Sequence, residues 1–241
     1  MSKVRIKLAT IGHMPLNFSV ARIEKWTSST FEVVEEIDGF SLNCDSDGHN
    51  WEFSDELVKD QLPKQFNADF MIAIVNVPIE GNWYSRRLGD NQIVFTFHEI
   101  KEILEDANIP LENVIYRILY AYTLLYRRAE NRIPDLDEVT GYTHDETRGC
   151  LFDMNGIKTD LVASCHRPIV CDECQVNLSN ERVSKSDINL SKKEINKIRK
   201  DLYYRILGGI KKHPVWTLVL SSFFAVTLGI ISSLIAASIL A

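Results

Sequence analysis

Val215 to Ala241 reads VWTLVLSSFFAVTLGIISSLIAASILA, without a charge, a histidine, a proline, an asparagine or a glutamine. A helix rises about 1.5 Å per residue, so this stretch can cross a hydrocarbon layer roughly 30 Å thick. A helix this long buried in a water-soluble body would carry polar contacts, so the sequence predicts a membrane span. Outward from it, Arg199, Lys200, Arg205, Lys211 and Lys212 all precede the span and no basic residue follows. Basic flanks stay on the cytoplasmic side, which predicts a tail-anchored, single-pass protein with its N-terminal part in the cytoplasm. Trp216 falls at the level of the interfacial aromatic belt, and His213 and Pro214 mark the helix start. Ala225, Gly229, Ser232, Ser233 and Ala236 recur every three or four residues. Small residues so spaced permit self-association of spans, and they are equally the ordinary composition of membrane helices.

The rest of the 241-residue chain has the composition of a folded body, and its length is enough for one sizeable core. A net charge of −6 argues against nucleic acid as a partner. The basic residues gather beside the span, which makes the lipid bilayer the expected partner.

Along the chain, Val4 to Ala9 alternates as a strand, and Phe18, Val20, Ile23 and Trp26 follow at helical spacing. Phe31 to Ile37 reads as a second strand. Asn43 to Asn50 (NCDSDGHN) is a polar turn, its Asp45, Asp47 and His49 serving loop geometry. The run Phe70 to Val77 is continuously apolar, as in a strand buried on both faces. Ile79 to Asn91 reads as a loop whose Arg86 and Arg87 either clamp an anion or pair with Glu80 and Asp90. Ile93 to Phe97 is a further strand, and His98-Glu99 starts a helix. Leu111, Val114, Ile115, Ile118, Leu119, Tyr122, Leu125 and Tyr126 define a central core helix. Strands alternating with helices predict an α/β (or α+β) body.

Of the five cysteines, Cys150, Cys165, Cys171 and Cys174 lie close together in sequence while Cys44 stands alone. In a reducing cytosol such a cluster reads as metal ligands rather than disulfides. Cys171-Asp172-Glu173-Cys174 is a CxxC, whose two thiolates reach one ion from a tight turn. The spacing C-x14-C-x5-C-x2-C suits tetrahedral sulfur ligation, with His144 and His166 able to replace a cysteine. A structural zinc is therefore expected on Cys150, Cys165, Cys171, Cys174 and His144. Buried free thiols and a redox CxxC are the other readings of the same residues. Thr143 to Arg148 (THDETR) sets acid–base groups beside Cys150, suited either to proton transfer or to orienting metal ligands.

The stretch Pro134 to Cys174 resembles the archaemetzincins, zinc-dependent metallopeptidases with the motif HExxHxxGxxHCx4C followed by CxxC. Gly141 matches the motif's glycine and His144 its third histidine. Cys150 matches the cysteine that closes the x4 spacing, and Cys171 and Cys174 match the final pair. The departures fall on the catalytic half. Pro134 and Glu138 stand in place of the first two histidines, Asp135 in place of the general base, and Asp145 in place of a cysteine. The resemblance thus implies a retained sulfur-rich zinc site and a lost catalytic one, since a catalytic zinc needs three protein ligands and an open position.

These readings divide the chain into an α/β body over 1–133, a Cys/His-rich zinc segment over 134–178, a charged helical stalk over 179–212 and the span over 213–241. The expected function is that of a membrane-anchored, non-enzymatic protein whose zinc-stabilised cytosolic domain senses a ligand or binds a protein partner, such as one encoded by a neighbouring gene. By analogy it extends to a membrane-acting effector, as in bacterial antiphage defence. The alternative is a membrane-tethered, divergent metallopeptidase rebuilt around Glu138 and His144.

Overall fold

Phe70-Met71-Ile72-Ala73-Ile74-Val75 is buried at every position because both faces of the strand it forms are covered. The computed structural model describes residues 2–144 and 147–240. The chain falls into two units, Met1–Arg199 and Lys200–Ala241.

The first unit runs β1 (Val4–Ile11), α1 (Val20–Glu24), β2 (Phe31–Val33), β3 (Asp38–Phe40), α2 (Asp55–Asp60), β4 (Phe70–Val75), β5 (Ser85–Gly89), β6 (Gln92–Thr96), α3 (Ile100–Asp106), α4 (Glu112–Arg128), α5 (Leu161–Ser164), α6 (Asp172–Asn180) and α7 (Lys185–Ile195). The strands form one mixed sheet in the order β2-β1-β4-β6-β5. β1 pairs in parallel with β4 along one edge, and its other edge is shared by β2 at Val4–Ile6 and β3 at Ala9–Ile11. β6 adds in parallel to β4, and β5 closes the sheet antiparallel to β6 with a bulge between Arg87 and Gly89.

Side chains alternate across a strand, so β4 feeds two cores. Phe70, Ile72 and Ile74 join the main core beneath α4, while Met71, Ala73 and Val75 join a smaller one with Val58 of α2 and Leu88 of β5. In α4, every residue from Glu112 to Tyr126 is buried, because the helix contacts α1, α5 and α7 and packs its apolar side chains into the main core with those of the sheet. Two of its buried polar groups near the N-terminus are bonded, while the Thr123 hydroxyl is buried without a partner: Glu112 accepts from the Ser19 N–H (2.7 Å) and from Arg22 (3.1 Å). Asn113 donates to the carbonyls of Cys165 (2.9 Å) and Arg199 (3.1 Å).

Four sequence expectations need correction here. Ile79 to Asn91 is not all loop: Ser85–Gly89 is the edge strand β5, concealed by its consecutive arginines. The expected strand over 31–37 is a strand only at Phe31–Val33, a further short strand following at Asp38–Phe40; and the helical spacing of Phe18 to Trp26 yields a helix only at Val20–Glu24. Residues 179–199 do not project as a stalk. They belong to the first unit, with Ile188, Ile195 and Ile198 buried, and α7 lies on α4. There the buried Glu194 carboxylate accepts from Ser28 Oγ (2.6 Å), the Ser29 N–H (2.8 Å) and Tyr120 OH (2.8 Å).

The second unit holds α8 (Leu202–Lys212) and α9 (Pro214–Leu240). α8 exposes Leu202, Tyr203, Ile206 and Ile210 and carries Arg205, Lys211 and Lys212. In α9 the stretch Pro214–Ser238 is apolar enough and long enough to cross a membrane. Its hydroxyls turn back onto the helix: Thr217 donates to the His213 carbonyl (3.0 Å), Thr227 to Phe223 (2.8 Å) and Ser233 to Gly229 (3.0 Å). That back-bonding lets serine and threonine sit in an apolar helix without an unsatisfied group facing oil.

Candidate metal centre

Two short segments meet after α4. The chain at 149–151 pairs with Ile169: the Leu151 N–H donates to the Ile169 carbonyl and the Ile169 N–H to the Gly149 carbonyl, both at 2.8 Å. Gly149 has φ +91°, a left-handed conformation that an L side chain adopts only with strain. The His144 N–H donates to the Phe152 carbonyl (3.0 Å), laying His144 beside this segment. Cys171 caps the N-terminus of α6, its sulfur accepting from the Cys174 N–H at 3.5 Å. The CxxC therefore wraps the first turn of a helix and aims both sulfurs the same way.

The outcome is a cluster of His144, Cys150, Cys171 and Cys174 whose ligand atoms all lie within 4.8 Å of one another. Cys150 Sγ and Cys174 Sγ are 3.8 Å apart, and Cys171 Sγ and His144 Nε2 are 3.5 Å apart. Around a tetrahedral zinc with bonds of about 2.3 Å to sulfur and 2.0 Å to nitrogen, the edges are about 3.8 Å and 3.5 Å, so the donor set and these spacings fit that ion. The proton arrangement points the same way. The Cys174 thiol, hydrogen-bonded to Cys150, holds Cys150 down at about 5, while that shared proton pushes Cys174 up and burial pushes Cys171 up. Ionising all three sulfurs in so small a space requires a positive ion among them.

Cys165, expected among the ligands, is not in the cluster. It ends α5, fully buried, and its thiol is raised to about 12 by desolvation that the neighbouring Arg117 only partly offsets. His144 completes the set in its place, and His166 is not part of the cluster. This division makes a labelling prediction. With metal bound, iodoacetamide modifies Cys44 alone; a chelator adds Cys150, Cys171 and Cys174, and Cys165 reacts only on unfolding. Mass spectrometry that finds Cys165 alkylated together with the cluster after chelation would contradict this assignment.

The positions of the lost catalytic motif lie outside any helix. Glu138 forks onto Arg132 at 2.5 and 2.7 Å and accepts the Asp135 N–H at 2.9 Å. The Arg132 hydrogen bonds and the Asp135 amide hold its carboxyl at about 2, far too acidic for a general base near neutrality. Arg87 is spent on the carbonyls of Pro134 (3.2 Å) and Glu138 (3.2 Å), which pins this loop to β5. Arg86 makes a bidentate pair with Asp55 (2.7 and 2.5 Å), reaching Glu80 at 3.4 Å, while Asp90 pairs with Lys59 at 2.7 Å. Neither arginine is thus free to clamp a phosphate. Asp47 accepts from the Ser54 N–H (2.8 Å) and Oγ (2.5 Å), which is loop chemistry. Of the THDETR set, Asp145 and Glu146 lie outside the described residues, and Arg148 pairs with Asp160 at 3.5 Å. The residue that sequence reading passed over is Arg117, buried in α4; its signal was a lone cation in the middle of an apolar helix.

No family model matches the sequence, and no curated protein matches it. Among solved structures, an archaemetzincin from Methanopyrus kandleri is similar over 74% of this chain and 95% of that one, with a TM-score of 0.50 and 16% identity. At that identity the likeness concerns the path of the chain and not its chemistry. The body of this protein thus has a distant archaemetzincin-like fold, with a His/Cys cluster that could hold a metal ion.

Proposed function

We propose that the protein is a membrane-anchored, non-enzymatic domain, stiffened by a structural zinc, that senses a ligand or binds a partner in the cytoplasm. The observation that carries this reading is the composition of the cluster. Four protein donors, three of them thiols, leave no coordination position for substrate or water, as in closed structural sites. His144, Cys150, Cys171 and Cys174 would hold the ion, which ties the irregular 143–171 region to α6. The rival metallopeptidase reading needs a base and an open metal. Glu138 is paired with Arg132, which holds its carboxyl well below the usual carboxylate range, and His144 lies with the sulfurs.

The anchoring part of the reading rests on α9 and on the basic residues before it. Protein purified in detergent is expected to carry one zinc per chain, to cleave no peptide, and to be unaffected in both respects by Glu138→Ala. A peptidase activity that disappears with Glu138→Ala would overturn the reading. Because His144 is one of the four donors, replacing it weakens metal binding under either reading and does not separate them. A reporter fused after Ala241 should lie outside the cytoplasm; a cytoplasmic reporter would overturn the orientation. A membrane-acting effector, as in antiphage defence, is the strong form of this proposal. It requires the small residues of α9 to associate, and leakage of dye-loaded vesicles by the wild type tests it.

A further inference from the structure

Between β5, α4 and the loop at 136–143 lies a cavity of about 380 Å³. That is within the range of small-molecule sites. Its aromatic lining is Trp83 and Tyr84 from the β5 side, Tyr122 from α4 and Tyr142 from the loop; Glu138 and Asp153 lie at its margin, and Ala121 leaves space on the helix. The Tyr122 hydroxyl is tied to Ser85 Oγ at 2.9 Å. Arg117, one turn before Ala121 on α4, also lines the cavity and is only 2% exposed.

Arg117 has hydrogen-bond partners and feels the nearby Asp153 carboxylate and Tyr84 hydroxyl, but it makes no ion pair. Its Nε donates to Ser164 Oγ (2.8 Å), its Nη2 donates to the Asp153 carbonyl (3.2 Å), and its guanidinium lies 5.6 Å from the centre of the Tyr84 ring. The Asp153 carboxylate instead accepts the Asn155 N–H at 3.1 Å. Among the described residues, no carboxylate is within ion-pair distance of Arg117. A guanidinium taken from water into an aromatic pocket is costly unless a negative group meets it. The other cations of this wall, Arg86 and Arg87, are already committed to Asp55 and to backbone carbonyls.

We propose that this cavity binds a small anion, a single carboxylate or phosphate on an aromatic or apolar body, with Arg117 receiving the anionic head and the tyrosines enclosing the body. A guanidinium presents paired donors to either oxyanion. This inference rests on the reading of the domain as a sensing module, and it names the class of ligand sensed.

The test is an equilibrium titration of the full chain in detergent with three probes of one shape: phenylacetate, phenyl phosphate and the neutral phenylacetamide. At least one anion should saturate, and the amide should bind at least about tenfold more weakly. Which anion wins identifies the head group. Arg117→Gln should weaken the winner by at least about tenfold with zinc content unchanged. Since that variant removes buried hydrogen bonds, Ala121→Leu serves as a second probe, because it fills the cavity from the helix without touching Arg117. It should abolish saturation. The proposal is overturned if neither anion saturates by about 10 mM, if the amide binds as well, or if Ala121→Leu leaves binding intact. A zinc-loaded, peptidase-inactive preparation that ignores all three probes would sink this inference alone. Peptide cleavage inhibited by the same anions would sink the non-catalytic reading instead.

Discussion

Cys174→Ser is expected to release the metal and unfold the 143–178 region, lowering the stability of the body by about 5 kcal/mol or more. The reasoning starts from what else holds that region. Among the described residues between the end of α4 and the start of α6, the regular structure is the four-residue α5, a 3-10 turn and isolated bridges at His144–Asp153 and Cys150–Ile169. Apart from the cysteines, the buried apolar residues described there are Ile133, Leu151, Phe152, Leu161 and Val170. Structural zinc contributes about 10–16 kcal/mol of folding energy in isolated fingers. Part of this is discounted here because the sheet and α4 form a core without it, and what remains is still comparable to the net stability of a whole domain, about 5–15 kcal/mol. Zinc per chain and the midpoint of guanidinium unfolding read the effect together. Cys165→Ser is the internal control, since it alters a buried thiol outside the cluster and should keep the metal. Unchanged zinc and an unchanged midpoint in Cys174→Ser would remove the metal centre from this account.

The second large effect concerns Glu194→Ala, expected to cost about 3–5 kcal/mol at neutral pH. The carboxylate collects the Ser28 hydroxyl, the Ser29 amide and the Tyr120 hydroxyl, and removing it strands three donors in a buried site. Burial pushes its carboxyl up, but those hydrogen bonds outweigh the burial and leave the pKa lowered. A carboxylate depressed on folding stabilises the protein above its unfolded pKa of about 4.3, and the contribution disappears as pH falls through the lower folded value. The gap between wild type and Glu194→Ala should therefore be wide at neutral pH and narrow below about pH 4. Urea unfolding at both pH values measures it; a gap independent of pH would mean that the charge is not what holds the site.

Legibility followed the strength of local pattern. β4 and α4 announced themselves because burial on all sides leaves an apolar run that few other contexts tolerate. β5 did not, because an edge strand whose arginines reach out to Asp55 and to a neighbouring loop reads as polar loop. In the cluster, the CxxC was visible from spacing alone, since its geometry is local to one helical turn. Cys165 was misassigned for the opposite reason: its distance along the chain suited a ligand, but the end of α5 turns it into the core beside Arg117. The supposed stalk misled in a related way. Ile188, Ile195 and Ile198 lie on a highly charged segment, and only the presence of α4 to receive them makes α7 part of the body.

The route by which the chain leaves the body has a mechanical consequence. At the exit, the Ile198 carbonyl is gripped by the Arg167 N–H at 2.8 Å and the Arg199 carbonyl by Asn113 at 3.1 Å. A pull transmitted along the backbone from residue 200 would load those two bonds first and the Glu194 bonds of α7 next, before any strand of the sheet.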